Sequence, residues 1–209
     1  MTETTNNHWL KWARKIQALS QSGLAYADDE FSRERYQKLG EIAAEIIDAH
    51  TTLCKEYVLN NFRLQPGYAT PKIDIRGVVF QDNKLLLVQE QSDEKWSLPG
   101  GWADVGDSAA EMVIREVKEE TGFEVFPTKL IGIFDNNKDR FPIEFYHSYK
   151  IIFWCEMQGG KKQPCHEILA VDFFKLTDLP PLSVNRTDEK HLHEIIEHIN
   201  NPNRLAYFD

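Results

Sequence analysis

The chain has 209 residues, a formal charge of −9, and 42% hydrophobic, 27% charged and 11% aromatic residues. This is an ordinary globular composition, with room for one large domain or a catalytic domain with a small attachment. No stretch approaches the roughly 20 apolar residues that span a bilayer, and the acidic balance argues against an extended phosphate-binding or nucleic-acid surface.

The opening residues MTETTNNHWLKW hold no basic run leading into an apolar core, so no secretory signal is expected. Cys54, Cys155 and Cys165 are scattered without CxxC spacing. That argues against a zinc site or a disulfide framework and suits a reducing, cytoplasmic setting. If an acidic chain of this kind acts on a phosphate compound, metal cations must mediate.

Up to about residue 64 the pattern is helical. Trp9, Trp12, Ile16 and Leu19 form an apolar stripe at i, i+3, i+7 and i+10. Ser22-Gly23 reads as the end of that helix. A second helix is expected from Asp28-Asp29-Glu30, whose charges suit a helix N-terminus, with Leu39, Ile42, Ala43, Ile46 and Ile47 as its buried face. A third, shorter helix is predicted over Leu53 to Phe62. The expected division is a helical domain over 1–65, a linker over 66–71 (Pro66-Gly67-Tyr68-Ala69-Thr70-Pro71) and a second domain over 72–209.

Past the linker the period changes. Ile73, Ile75, Val78 and Val79 read as a strand, Gln81-Asp82-Asn83-Lys84 as a turn, and Leu85 to Val88 as a buried strand. Further strands are predicted over Lys129 to Phe134, Tyr146 to Cys155 and Ala170 to Phe174, with a closing helix from Thr187 to about Ile199. Mixed strands with two helices predict an α+β or α/β/α sandwich.

The chemistry is concentrated in Gly100-Gly101-Trp102-Ala103-Asp104-Val105-Gly106-Asp107 and the helix that follows. Ser108 with Glu111 forms a capping box, so the helix starts just after Ser108, and Gly122 is its natural stop. With Glu116 at zero, Glu120 lies near about +40° and Glu119 near about −60° around the axis. Ala110, Val113, Ile114 and Val117 are expected to face the core. Crowded carboxylates repel unless a cation joins them, and hard oxygen ligands suit Mg²⁺ or Mn²⁺, ions that also bind phosphate oxygens. Arg115 lies one turn before Glu119, where it can hold that carboxylate in place.

At these residues the sequence resembles the Nudix hydrolase family, whose signature is G-x5-E-x7-R-E-U-x-E-E-x-G-U with U apolar. Gly101, Arg115, Glu116, Val117, Glu119, Glu120, Gly122 and Phe123 match in register, and Asp107 stands where the family has its first glutamate. The resemblance covers roughly residues 70 to 180. It implies an α/β/α sandwich around a mixed sheet, preceded here by a small N-terminal helical domain, and hydrolysis of nucleoside diphosphates linked to a moiety X. It implies that the Gly100 carbonyl, Glu116, Glu119 and Glu120 bind Mg²⁺ or Mn²⁺ and that Arg115 orients Glu116. The family places its general base either on the helix or on a later loop, and Glu167 is the loop candidate. His166 beside it reads as a surface histidine. Trp96, Phe123, Phe141, Tyr146 and Tyr149 are aromatic residues that could stack on a base, though aromatics in a small sandwich mostly serve the core. Asp135 to Ile143 reads as a loop bordering the pocket, and no residue reads a particular base.

The segments Trp9-Leu10-Lys11-Trp12, Ser22 to Tyr26 and Pro71 to Arg76 resemble a bacterial Nudix subgroup with an N-terminal helical domain, labelled ADP-ribose or CDP-choline pyrophosphatases. The whole chain is most similar to the CDP-choline type, so CDP-choline is the expected substrate, giving CMP and phosphocholine, with ADP-ribose as the alternative. The resemblance implies a homodimer built on the helical domain; burial of the tryptophan stripe against the second domain explains that stripe equally well. Two other classes are weaker. RNA 3'-end exonuclease activity calls for a basic groove that the chain does not offer. A nucleotide-sensing regulator on DNA calls for a basic face, yet residues 1–65 hold 8 Lys+Arg against 9 Asp+Glu.

Overall fold

The computed structural model describes residues 8–136 and 146–209. They fall into two compact units, the first ending at Pro71 and the second spanning Lys72–Asp209.

The first unit is helical: α1 (His8–Tyr26), α2 (Glu30–His50) and α3 (Lys55–Arg63). α2 starts at the acidic run expected to open it, and there Asp29 caps the helix, its carboxylate accepting from the Ser32 N–H. Helix α1, in contrast, runs past Ser22-Gly23. Gly23 is not a stop signal: any Cβ there would collide with the Tyr36 ring, so the glycine lets α2 approach closely. The inward face also differs from the expected stripe. Leu10, Ala13 and Ser20 are buried, whereas Trp12 is 59% and Leu19 62% exposed. In α2 the small residues Gly40, Ala43 and Ala44 pack inward with Ile47, and Ile42 is exposed.

The second unit is built on a mixed sheet. Its strands are β1 (Lys72–Gln81), β2 (Lys84–Glu90), β3 (Trp96–Ser97), β4 (Gly100–Trp102), β5 (Phe123–Asp135), β6 (Ser148–Gly160), β7 (Ile168–Phe174) and β8 (Tyr207–Phe208). The main path runs β3-β2-β1-β6-β5-β8, with β4 pairing β1 and β7 pairing β2. β1 lies parallel to β6 but antiparallel to β2 and β4. Asp82 and Asn83 take positive φ (51° and 59°) in the β1–β2 turn, a geometry that Asn and Asp tolerate.

Helices α4 (Ala109–Thr121) and α5 (Glu189–Asn200) cover opposite faces of the sheet. Ile75 and Val79 of β1 and Leu86 and Val88 of β2 pack with Met112, Val113 and Val117 of α4. Val78, Leu85 and Leu87 pack with Leu98, Ile131, Ile152 and Ile195 of α5. The alternation of strand side chains thus feeds two cores, which is why Leu85 to Val88 is apolar throughout. The result is the α/β/α sandwich. Val113 and Val117 are buried on the α4 core face as expected, joined by Met112, whereas Ala110 is exposed. All three cysteines are free thiols, and no helix among the described residues is long and apolar enough to cross a membrane.

Candidate active site

Helix α4 begins and ends as its sequence dictates. The Ser108 hydroxyl accepts from the Glu111 N–H, the Glu111 carboxylate accepts from the Ser108 N–H, and Gly122 closes the helix at φ 80°. This fixes the rotation of the helix and therefore where its charges point.

Arg115 is the hub of the outer part. Its guanidinium donates to Glu116 at 3.1 Å, Glu119 at 3.2 Å, Asp107 at 3.1 Å and Asp104 at 2.7 Å. Asp107, the departure from the family pattern, thus anchors Arg115. Glu116 is mostly buried beside this guanidinium, and Glu119 is 57% exposed.

The inner part is the Leu98-Pro99-Gly100 turn. The Gly77 N–H donates to the Pro99 carbonyl and the Ala103 N–H to the Ile73 carbonyl, and between these ladder bonds the Gly100 N–H turns instead to the Glu120 carboxylate at 2.8 Å. Gly100 sits at φ 135°, and a Cβ would collide with the Ile75 carbonyl oxygen, so only glycine fits. A Cβ on Gly101 would lie 3.1 Å from Glu116 Oε2, so the second glycine leaves that carboxylate its room.

Burial pushes the Glu120 carboxyl up to about 8; Arg76 and the Gly100 N–H oppose this, while Glu90 and Glu116 add to it. Burial also raises Glu116 above the ordinary carboxylate range, against the pull of Arg115. In both groups burial outweighs the neighbouring guanidinium, so a cation brought beside these carboxyls would favour their ionised form.

Behind the turn lies a network that the sequence did not single out. Arg76 is buried; its Nε donates to Asp74 at 2.8 Å and its Nη1 to the Leu98 carbonyl at 3.0 Å, with Glu90 at 3.8 Å. Glu90 also meets Arg186 at 3.1 Å and accepts from the Ser97 hydroxyl. Lys150, fully buried, bonds the Asn185 and Arg186 carbonyls and lies 3.4 Å from Asp74. The only signal available was a charged pair, Asp74 and Arg76, alternating inside an otherwise apolar strand.

Not every candidate residue converges. Glu167 precedes β7, 74% exposed, with its carboxylate 3.4 Å from His166, which is itself exposed. Phe123 packs against Phe173 in the core and Trp96 edge-on against Phe174. Tyr149 borders His147, and Tyr146 stacks with the Lys72 ammonium. Phe141 and most of the Asp135–Ile143 loop lie outside the described residues. Among the described residues, no three of the His, Cys, Asp and Glu side chains already stand as a metal-holding cluster.

The profile of the NUDIX domain matches residues 71–195, and that of a UDP-X-like, N-terminal oligomerisation domain matches residues 7–62. The chain belongs to the NUDIX family. YjhB of Bacillus subtilis, provisionally assigned as an ADP-ribose pyrophosphatase, is 38% identical over 201 residues, 96% of this chain and 97% of its own. Among solved structures, a UDP-X diphosphatase is 33% identical with a TM-score of 0.61, covering 97% of this chain and 98% of that one. An ADP-ribose pyrophosphatase from Streptococcus suis is 39% identical with a TM-score of 0.61, covering 67% of this chain and all of that one. The chain is thereby a Nudix hydrolase with the N-terminal helical region of a distinct branch.

Proposed function

We propose that this Nudix pyrophosphatase requires a divalent cation and cleaves a nucleoside diphosphate linked to X, with ADP-ribose as the leading substrate. The observation that carries the reading is the Glu120 carboxylate, held on the Gly100 N–H beside an Arg115-bound Glu116. The hard-oxygen donor set fits Mg²⁺ or Mn²⁺, and so does the room that Gly101 leaves at Glu116. The Gly100 carbonyl, Glu116, Glu119 and Glu120 are the residues that would hold the cation. When bound, it neutralises diphosphate charge and lowers the pKa of the attacking water.

The chain's own residues do the rest. Arg115 keeps Glu116 and Glu119 on one side of α4. The glycine turn lets backbone approach the diphosphate, and the buried Arg76 network holds that turn still. Glu116 takes the water proton in this reading. Glu167→Gln is then expected to lower kcat by less than about tenfold, whereas loss of a general base costs about 100-fold or more. A larger loss in steady-state assays would assign the base to Glu167.

The ADP-ribose pyrophosphatase and UDP-X diphosphatase names of similar proteins support the choice of substrate class. CDP-choline, which the sequence resemblance favours, shares the diphosphate and serves as the direct competitor. A panel of ADP-ribose, CDP-choline, UDP-sugars, dinucleoside polyphosphates and short RNA, each with Mg²⁺ or Mn²⁺, tests the reading. It expects the highest kcat/KM on ADP-ribose; CDP-choline or a UDP-sugar ahead by tenfold would reassign X, and cleavage of RNA alone would overturn it.

We also infer a homodimer formed through a separate helical domain over residues 1–65. Trp12, Leu19 and Tyr26 repeat every seven residues along α1 and all are exposed, a contiguous apolar stripe of the kind that marks an interface. Light scattering is expected to give twice the 24.3 kDa chain mass, and Leu19→Glu to yield monomers.

A further inference from the structure

Beside the turn stands an exposed aromatic side chain that none of the catalytic roles above uses. Trp102 ends β4, two residues past Gly100, and is 49% exposed. It pairs with Asp74 across the β1–β4 ladder. Two residues back along β1, on the same face as Asp74, the Lys72 ammonium lies 5.9 Å from the centre of the Trp102 ring and 4.7 Å from that of Tyr146. Among the described residues no carboxylate pairs with Lys72. Two rings and a cation with no carboxylate partner among the described residues therefore share one edge of the sheet, in a chain whose net charge is −9.

We infer that Trp102 and Lys72 form the nucleoside subsite, with the indole stacking on the nucleobase and the ammonium facing the polar edge of the base or the adjoining phosphate. The inference rests on the diphosphate-cleaving reading, because it takes the turn at Gly100 as the place where the diphosphate lies. Two strand residues span about 7 Å, comparable to the span of the sugar that separates a base from its phosphate. A flat, uncharged heterocycle gains from an indole face, and a half-exposed tryptophan otherwise leaves apolar area in water.

The chemistry also selects which half of the substrate lies here. A quaternary ammonium such as choline is recognised over aromatic faces, but Lys72 already holds the cation position over both rings and would repel a second one. The subsite accordingly takes the base, and X lies elsewhere. Among the described residues no donor or acceptor pattern at Trp102 distinguishes one base from another, so the subsite is proposed to supply affinity for nucleosides as a class.

Calorimetric titration with AMP, CMP and UMP, and with ribose 5-phosphate as the base-free control, tests this on the full chain, Trp102→Ala and Trp102→Phe in Mg²⁺. The expected result is a roughly 10- to 100-fold rise in Kd for all three nucleotides in Trp102→Ala, an unchanged Kd for ribose 5-phosphate, and near-native binding in Trp102→Phe. Nucleotide binding that Trp102→Ala leaves unchanged, that weakens no more than ribose 5-phosphate, or that is absent from the native chain would overturn the subsite. Failure of the activity reading looks different: nucleotide binding still depends on Trp102, but no nucleoside diphosphate is hydrolysed.

Discussion

Glu120→Gln is expected to lower turnover by about two to four orders of magnitude and, at the same time, to raise the melting temperature of the metal-free protein at alkaline pH. The first effect follows from its place in the proposed site: its carboxylate is tied to the Gly100 N–H within the group of oxygens that faces the diphosphate, and losses of that size attend removal of a group that acts mainly on the transition state. The second follows from burial, which raises its carboxyl from 4.5 to about 8. The metal-free folded state holds this proton more tightly than the unfolded chain does, so the stabilising contribution is complete below about pH 4.5 and fades as pH rises through about 8. Gln has nothing to deprotonate. Thermal melts with a chelator should therefore show the variant above the native chain at pH 9 and level with it near pH 5. A variant that is inactive because it is unfolded would melt lower at both.

Arg76→Met is expected to cost about 3–5 kcal/mol of folding stability, the usual result of breaking a buried ion pair from one side. Methionine restores most of the side-chain volume, so the loss reports charge and hydrogen bonding and not a cavity. Asp74 and Glu90 would be left in the interior without the guanidinium, and the Leu98 carbonyl without its donor. Lys150 still faces Asp74, which keeps the cost from being larger. Burial pushes the Asp74 carboxyl up, but Arg76 and Lys150 outweigh it and hold it below its ordinary range. Its contribution is thus present at neutral pH and lost on acidification, and the gap between native chain and variant should narrow below about pH 4. Urea unfolding at several pH values measures this. A difference under about 1 kcal/mol at pH 7 would mean that the network is not a stabilising frame.

Features governed by neighbouring residues were legible in the sequence. The Ser108–Glu111 box, the Gly122 stop, the acidic start of α2 and the β1–β2 turn depend on residues within four positions of one another, and their local chemistry admits few alternatives. Arg115 clasping Glu119 is likewise an i, i+4 relation. Long-range contacts were not legible. Gly23 looks like a helix stop until Tyr36 of the next helix is seen above it. The stripe of Trp12 and Leu19 looks like a core face, although α1 buries Leu10 and Ala13 instead. Strand β4 is three residues long and is defined only by its pairing with β1, so periodicity could not find it. The Arg76 network joins positions as distant as 74, 98, 150 and 186, and charged residues within an apolar strand announce burial without naming their partners. Trp102 follows the glycine turn in sequence, but its exposure is set by that same short strand, so its sequence context does not mark it as a stacking residue.

Manganese binding followed by electron paramagnetic resonance tests the central claim most directly. The native chain, titrated with Mn²⁺ near neutral pH, is expected to remove free ion from solution, and Glu116→Gln/Glu120→Gln to lose that uptake while keeping its circular dichroism spectrum. Equal uptake by the two proteins, or none by the native chain, would contradict the assignment of these carboxylates to the catalytic cation.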